Sequence, residues 1–461
     1  SLGFATGNGG EAQMASNING LATIGCTVIV DDLTYYAEPA FQEGLIANAV
    51  TNVSGLGVPY FSSSANSGNL LKGTSGTWEG DYSLSGTKLY NGATFYGDYH
   101  SFGGSPLNGL NSVGGSAYSL KWSDPQGASN NDYDLFVLDS SGTNVLASST
   151  NTQNGTQNPY EILSASGIPS GSKFAIINYK GLAQPKTLRL DTHRGRVSIG
   201  TSGSSFGHNA GINTISIAAS NVSAAGGGAF LGAGANPVEN FSSDGPRKLL
   251  LAALPSQSPI NQLTLNRVNY TAADGVSTTV PGGFSPFFGT SAAAPHAAAI
   301  AALVKAAKPN ITNSQLISAL DSGSLDIETT GYDFTSGKGI LRADLAVKSV
   351  LQPFVITKQF SPSSIPIGGT STLTIQITNP NQVKLSGVSY PSNIKNASAP
   401  AASFTGSGCS GNVVATSGGT SVVLGAGMVP AGATCSLKVT ITSSVSASYT
   451  DTSGNLSTPI G

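Results

Sequence analysis

From Gly289 to Lys308 the chain is built almost entirely of small apolar residues, beginning Gly289, Thr290, Ser291, Ala292, Ala293, Ala294, Pro295, His296. This stretch predicts a helix from about Ser291 to Lys308, ended by Pro309 and Asn310. The helix is apolar nearly all round, so it is expected to be buried. Its small side chains let it lie close beneath a sheet. Ser291 falls at its N-terminus, where free backbone N–H groups and the positive end of the helix dipole favour an alkoxide or a tetrahedral oxyanion. Gly289 leaves room for another backbone to approach. The plainer alternative for Ser291 is an N-cap.

The rest of the chain divides by pattern. Residues 1–78 read as strand, helix, strand, helix, strand, with strands at Leu2–Thr6, Thr27–Val30 and Val58–Ser62. The helices are Gly9–Leu21, with Met14, Ile18 and Leu21 in helical spacing, and Glu38–Val53. Strands alternating with helices imply an α/β layer with parallel strands. Residues 79–200 have no helical period. Alternating runs at Ala117–Ser123, Tyr133–Asp139, Asn144–Ser148, Phe174–Tyr179 and Thr187–Thr192 suggest an inserted β-sandwich or jelly roll. Residues 201–352 return to α/β, with a strand at Ile212–Ala219, a helix capped by Thr312 or Asn313, and a last helix at Ile340–Val350. From 353 to 461 the pattern is purely β, as in Leu373, Ile375, Ile377 and Leu437, Val439, Ile441, which suits an immunoglobulin-like sandwich.

Composition narrows the function. A net charge of −2 with 10% charged residues gives no basic footprint for nucleic acid or an anionic membrane. No run approaches the roughly 18 to 20 apolar residues that span a bilayer. Of three cysteines, Cys409 and Cys435 suit a disulfide in an oxidising, extracellular or cell-surface setting; the alternative is two buried thiols. Cys26 reads as a small buried hydrophobe. Asp124, Asp132 and Asp134, with Asn130 and Asn131, are weak calcium candidates against the plainer reading of a solvated turn. No cofactor is otherwise expected.

The segment Gly289–His296 resembles the nucleophile motif of the subtilisin-like serine proteases: Gly-Thr-Ser, small residues, then Pro-His. Three other segments agree with that family in order: Phe241–Pro246, Tyr270–Val276 and Ser336–Ile340. Tyr60–Gly68 resembles the strand end that carries the family's oxyanion-hole asparagine, and Asn66 matches it; the alternative is a turn former before Gly68. The resemblance implies Ser291 as nucleophile and Asn66 as oxyanion donor, with Asp32, Leu33, Thr34, Gly289 and Thr290 as substrate-binding residues. The family usually has Ser-Leu-Gly where this chain has Asp32, Leu33 and Thr34. The paired Asp31 and Asp32 are expected to line a cleft or meet a positive group, not to replace the triad acid.

Four histidines are present, His100, His193, His208 and His296, and none lies in a segment like the family's catalytic histidine motif. The resemblance therefore implies a protease chain that lacks its acid and base. Ser1–Gly7 reads as the interior of a strand, so a segment upstream of Ser1 is expected. In the family, the strand bearing the acid lies between those matching Leu2–Thr6 and Thr27–Val30. That slot would be filled by the protein's own N-terminal piece, by a neighbouring copy, or by Leu2–Thr6 moving inward. Three functions compete: a processed secreted endopeptidase acting on proteins or peptides, an inactive filament or surface-layer protein built on the scaffold, and a serine-carboxyl peptidase of the sedolisin type.

Overall fold

The computed structural model describes residues 2–395, 398–415 and 419–458. The chain forms two compact units: residues 1–302 with 324–342, and residues 303–323 with 343–461. Ser1 lies outside the described residues.

The first unit is organised by a six-stranded sheet. Its strands are β1 (Ile29–Asp31), β2 (Tyr60–Ser63), β3 (Thr214–Asn221), β4 (Tyr270–Asp274), β5 (Ser324–Leu325) and β6 (Ile340–Leu341), in the order β1-β2-β3-β4-β6-β5. All neighbours pair in parallel except β5 with β6. Strands β2 and β3 are buried on both faces, as parallel strands covered by helices are. On one side, α1 (Glu11–Thr23) and α2 (Leu45–Gly55) supply Met14, Ile18, Ile46, Ala49, Val50 and Val53 to a cluster with Ile29 and Tyr60. The spacing of those residues in each helix is what places them on one face. The long helix α3 (Thr290–Ala307) follows β4 in the chain, within one residue of its expected limits.

Several local expectations are corrected. Leu2–Thr6 forms no strand, and Leu2 and Phe4 are fully open to solvent. A strand needs a neighbour for its N–H and C=O groups, and this segment pairs with none. Strand β1 is consequently an edge. Helix α2 starts at Leu45 rather than Glu38, because residues 38–44 pass through Pro39 and send the side chains of Glu38, Gln42 and Glu43 into other networks. Ile340 belongs to β6, and the last helix, α5 (Ala343–Lys348), is correspondingly shorter than expected. Helix α3 is not buried all round: Ala292–Ala294, Ala297, Ala298 and Ala301 are, whereas Pro295, His296 and Ala299 are exposed.

Between β2 and β3 the chain departs into two antiparallel sheets. Strands 77–81, 117–122, 160–164 and 187–191 make one, and seven strands centred on 173–179 make the other. Trp78, Tyr118, Trp122, Tyr133, Leu135, Phe174 and Leu190 share one buried cluster. A hairpin, 247–251 with 259–265, was not legible in the pattern.

In the second unit, α4 (Asn313–Ser322) opens with a capping box in which Thr312 and Gln315 bond reciprocally. Two four-stranded antiparallel sheets follow, and Leu373, Ile375, Ile377, Tyr390, Leu424, Leu437 and Val439 pack together. Cys409 and Cys435 are joined, with Cα atoms 5.9 Å apart. Closing a loop of that size stabilises by about 3 kcal/mol in the chain-entropy account.

Candidate active site

Ser291 lies in the first turn of α3, at the C-terminal end of the parallel sheet. The amides of Ala292 and Ala293 both turn back to Gly289 O, at 2.9 and 3.3 Å. Gly289 itself has φ 120°, a conformation side chains rarely adopt. A Cβ there would sit 3.5 Å from Ser291 Oγ and 3.6 Å from Asn66 Nδ2, so the hydroxyl and the amide converge on one point. Gly289 N–H donates to Asp274 Oδ2 at 3.0 Å, which ties the turn to the end of β4. Burial pushes the Asp274 carboxyl up to about 6.

Asn66 is held from behind. Its Oδ1 accepts from Thr290 N at 3.1 Å and from Thr290 Oγ1 at 3.0 Å, which leaves its NH2 directed toward Ser291. The preceding residue, Ala65, has φ 76°, a strained conformation of the kind found at working sites. The Phe241–Pro246 segment buttresses this turn: Ser243 N donates to Ala65 O, and Ser67 N donates to Ser243 Oγ. Ser336–Ile340 docks on β4, with Thr271 Oγ1 donating to Ser336 O at 2.9 Å.

A pocket of ≈ 240 Å³ opens beside Ser291, lined by Asp32, Leu33, Thr34, Tyr36, residues 63 and 65–67, and His193 and Arg194. Asp32, Leu33 and Thr34, expected from the sequence to contact substrate, line this pocket. Thr290 does not: it is buried and positions Asn66 instead. Gly289 forms the floor at the Ser291–Asn66 gap. Asp32 is exposed on the pocket side; partial desolvation pushes its carboxyl up and outweighs the opposite influence of the nearby Ser291 and Ser63 hydroxyls.

Asp31 has a different fate from its neighbour. Its carboxylate turns inward, accepting from Tyr60 Oη and from Ser62 Oγ at 2.9 Å, with His208 Nε2 at 3.3 Å. His208 Nδ1 lies 2.5 Å from Glu38 Oε1 on its other side. Burial alone would depress His208, but Glu38 and Asp31 outweigh it and push the imidazole up to about 10. Burial likewise favours a neutral Asp31, yet the His208 charge and three hydrogen bonds bring it below the ordinary carboxylate value. Asp31, His208 and Glu38 form a buried ion-paired chain, and among the described residues none of them hydrogen-bonds the Ser291 hydroxyl.

The other histidines also have local partners. His296 Nδ1 bonds Ala292 O at 2.7 Å. His100 is buried and accepts from Ser83 N. His193 is the one that sequence reasoning missed, together with Arg194 and Tyr36: an inserted domain gave no sign of which turn faces the cleft. Two of the calcium candidates have separate partners, while Asp132 Oδ1 is buried without a hydrogen bond. Asp124 pairs with Lys186 and Asn131, and Asp134 accepts from Tyr96 Oη. Among the described residues no three His, Cys, Asp or Glu side chains gather as a metal site.

The model of the Subtilase family matches residues 4–339, and that of a domain of unknown function, DUF7933, matches residues 354–461. Over 76 residues the chain is 40% identical to alkaline elastase YaB of Bacillus sp. (strain YaB), a match covering 16% of this chain and 19% of that protein's length. Among solved structures, the S41 psychrophilic protease aligns over 73% of this chain and 65% of its own, at 14% identity and TM-score 0.28. The yeast delta-COP-I mu-homology domain aligns over 22% of this chain and 38% of its own, at 19% identity and TM-score 0.16. Both superpositions are too loose to bear on fold or function.

Proposed function

The chain belongs to the subtilase family, and on that premise we propose that it is the nucleophile-bearing part of a secreted serine endopeptidase, with Ser291 attacking the scissile carbonyl and Asn66 donating to the oxyanion. The observation that carries this reading is the convergence of Ser291 Oγ and Asn66 Nδ2 on one point at the start of α3. A reacting carbonyl carbon and its oxygen need a nucleophile and a donor arranged in that way. Peptide substrate would lie along Asp32–Thr34. No cofactor is required. The inserted sheets act here as a jelly-roll-like accessory domain and residues 353–461 as an immunoglobulin-like one. The Cys409–Cys435 bond favours an extracellular setting.

The acid and base would come from an N-terminal piece of the same protein, seated against β1. Two features support this. The edge of β1 is flanked by grooves of ≈ 360 Å³ and ≈ 600 Å³, and the larger runs from Leu2 and Cys26–Val30 to Pro295, Ala298, Ala299 and Ala302. The exposed face of α3 lines that same groove. A serine without a base is a weak nucleophile. The chain alone should therefore fail to label with a fluorophosphonate, and should label at Ser291 when co-expressed with the segment that precedes it in its gene. Labelling of the isolated chain would mean that a base lies within it. The open β1 edge equally suits a strand donated by a neighbouring copy, which is the filament reading; polymers in native mass spectrometry, with no labelling in any combination, would favour that reading. A sedolisin-type site is disfavoured because that family usually places an aspartate where Asn66 stands.

A further inference from the structure

We propose that Arg194 makes this site select substrates with an acidic side chain on the acyl side of the scissile bond. The inference rests on the endopeptidase reading above. It starts from the turn Thr192–Gly195, which follows strand 187–191 of the inserted sheets and reaches the pocket beside Ser291.

That turn is fixed on every side. Thr192 N and Thr192 Oγ1 both donate to Gly76 O, at 2.9 and 2.8 Å. His193 stacks on Tyr36 with ring centroids 3.9 Å apart, and its Nε2 lies 2.8 Å from Ser119 Oγ. The backbone of the neighbouring loop presses against it: a Cβ on Gly115 would fall 1.9 Å from His193 O, and one on Gly114 would fall 2.3 Å from Arg194 O. His193 and Arg194 consequently hold φ values of 48° and 99°. Positive φ is unfavourable for both residues, and such conformations persist only where the surroundings over-determine them.

The one group this arrangement leaves loose is the Arg194 side chain. It is exposed, and among the described residues its guanidinium makes no hydrogen bond or ion pair. The other cations of this region are spent: Lys121 and Arg189 are buried and both pair with Asp191. Asp32, the carboxylate that lines the same pocket, lies near the Ser291 and Ser63 hydroxyls and forms no ion pair with Arg194 among the described residues. The pocket is therefore lined by a guanidinium that has no ion-pair partner among the described residues. A guanidinium offers a planar fork that matches a carboxylate. The ≈ 240 Å³ volume suits one side chain, and a glutamate or aspartate would bring the missing partner.

Binding tests this without catalysis. Fluorescent peptide amides Ala-Ala-Pro-Xaa, with Xaa as Glu, Gln, Lys or Leu, are titrated by anisotropy onto the chain, onto Arg194→Ala and onto Arg194→Glu. The Glu peptide should bind about two- to fivefold more tightly than Gln, the size of effect an exposed charge pair gives. Arg194→Ala should abolish the preference, and Arg194→Glu should turn it toward Lys. The thermal midpoint should stay within about a degree in either variant, since the side chain is exposed and makes no hydrogen bond or ion pair among the described residues. Equal binding of Glu and Gln, tightest binding of Lys by the unaltered chain, or a Glu preference that survives Arg194→Ala would each overturn the proposal while leaving a peptide cleft in place. Absence of binding by every peptide would overturn both readings. A Glu preference with no labelling of Ser291 in the assembled protein would leave Arg194's role intact and remove the protease.

Discussion

At the scale of single residues, two side chains carry testable weight. Asn66 donates toward the site of Ser291 while Thr290 fixes its other end. In the assembled protease, Asn66→Ala should lower kcat by about 10²–10³ with little change in KM, because the bond strengthens only as the oxyanion forms; that magnitude is the one known for the subtilisin asparagine and is carried over from it. A loss confined to KM would assign Asn66 to ground-state binding instead. His208 tests the buried chain. Its replacement by Ala would leave Asp31 and Glu38 as uncompensated buried carboxylates, at a cost of about 3–5 kcal/mol. Since burial is outweighed and the folded imidazole stands at about 10, above its ordinary value, its contribution is complete below about pH 6.5 and fades as pH rises toward 10. Urea midpoints should therefore fall between pH 6 and pH 10 in the unaltered chain and much less in His208→Ala. Parallel pH profiles would show that the pair contributes nothing. Asp31 works in the opposite sense: its carboxyl is lowered, so its share is present above the ordinary carboxylate range and lost in acid.

At the scale of elements, the informative ones are those that lack something. Among the described residues strand β1 has a partner on one side only, and Leu2 and Phe4 stand in solvent. Helix α3 has the composition of a fully buried helix and yet exposes Pro295, His296 and Ala299. Both features border one groove. If a segment of the same protein seats there, Ala299→Arg should weaken its association at least about tenfold, since an unpaired charge would be buried on docking. The melting temperature of the chain alone should stay within a degree or so, because Ala299 already faces solvent. Undiminished co-purification of the variant with that segment would place the docking surface elsewhere.

At the scale of the molecule, the balance between sequence and fold differs from region to region. Periodicity located α1 and the long strands of the inserted sheets, because one buried face repeats every two or every 3.6 residues, while α3, β2 and β3 were legible as apolar runs bounded by turn residues. It placed Ser291 at a helix start, and the resemblance matched Asn66 to the strand end beside it. It could not see strands with weak alternation, such as 84–91 and 94–100, nor the hairpin 247–251 with 259–265, whose second strand is largely exposed and leaves no apolar stripe. It also could not divide Asp31 from Asp32: adjacent residues on a strand point to opposite sides, and only the packed sheet decides which side is interior. One carboxylate consequently pairs with His208 and Tyr60, and the other meets Ser291. Least legible of all was the turn 192–195, which lies far along the chain from every other residue lining the pocket. Local sequence sets local conformation and the periodic burial that follows from it. Which distant turns meet at a cleft depends on how whole sheets pack, and that is written in no single stretch of the chain.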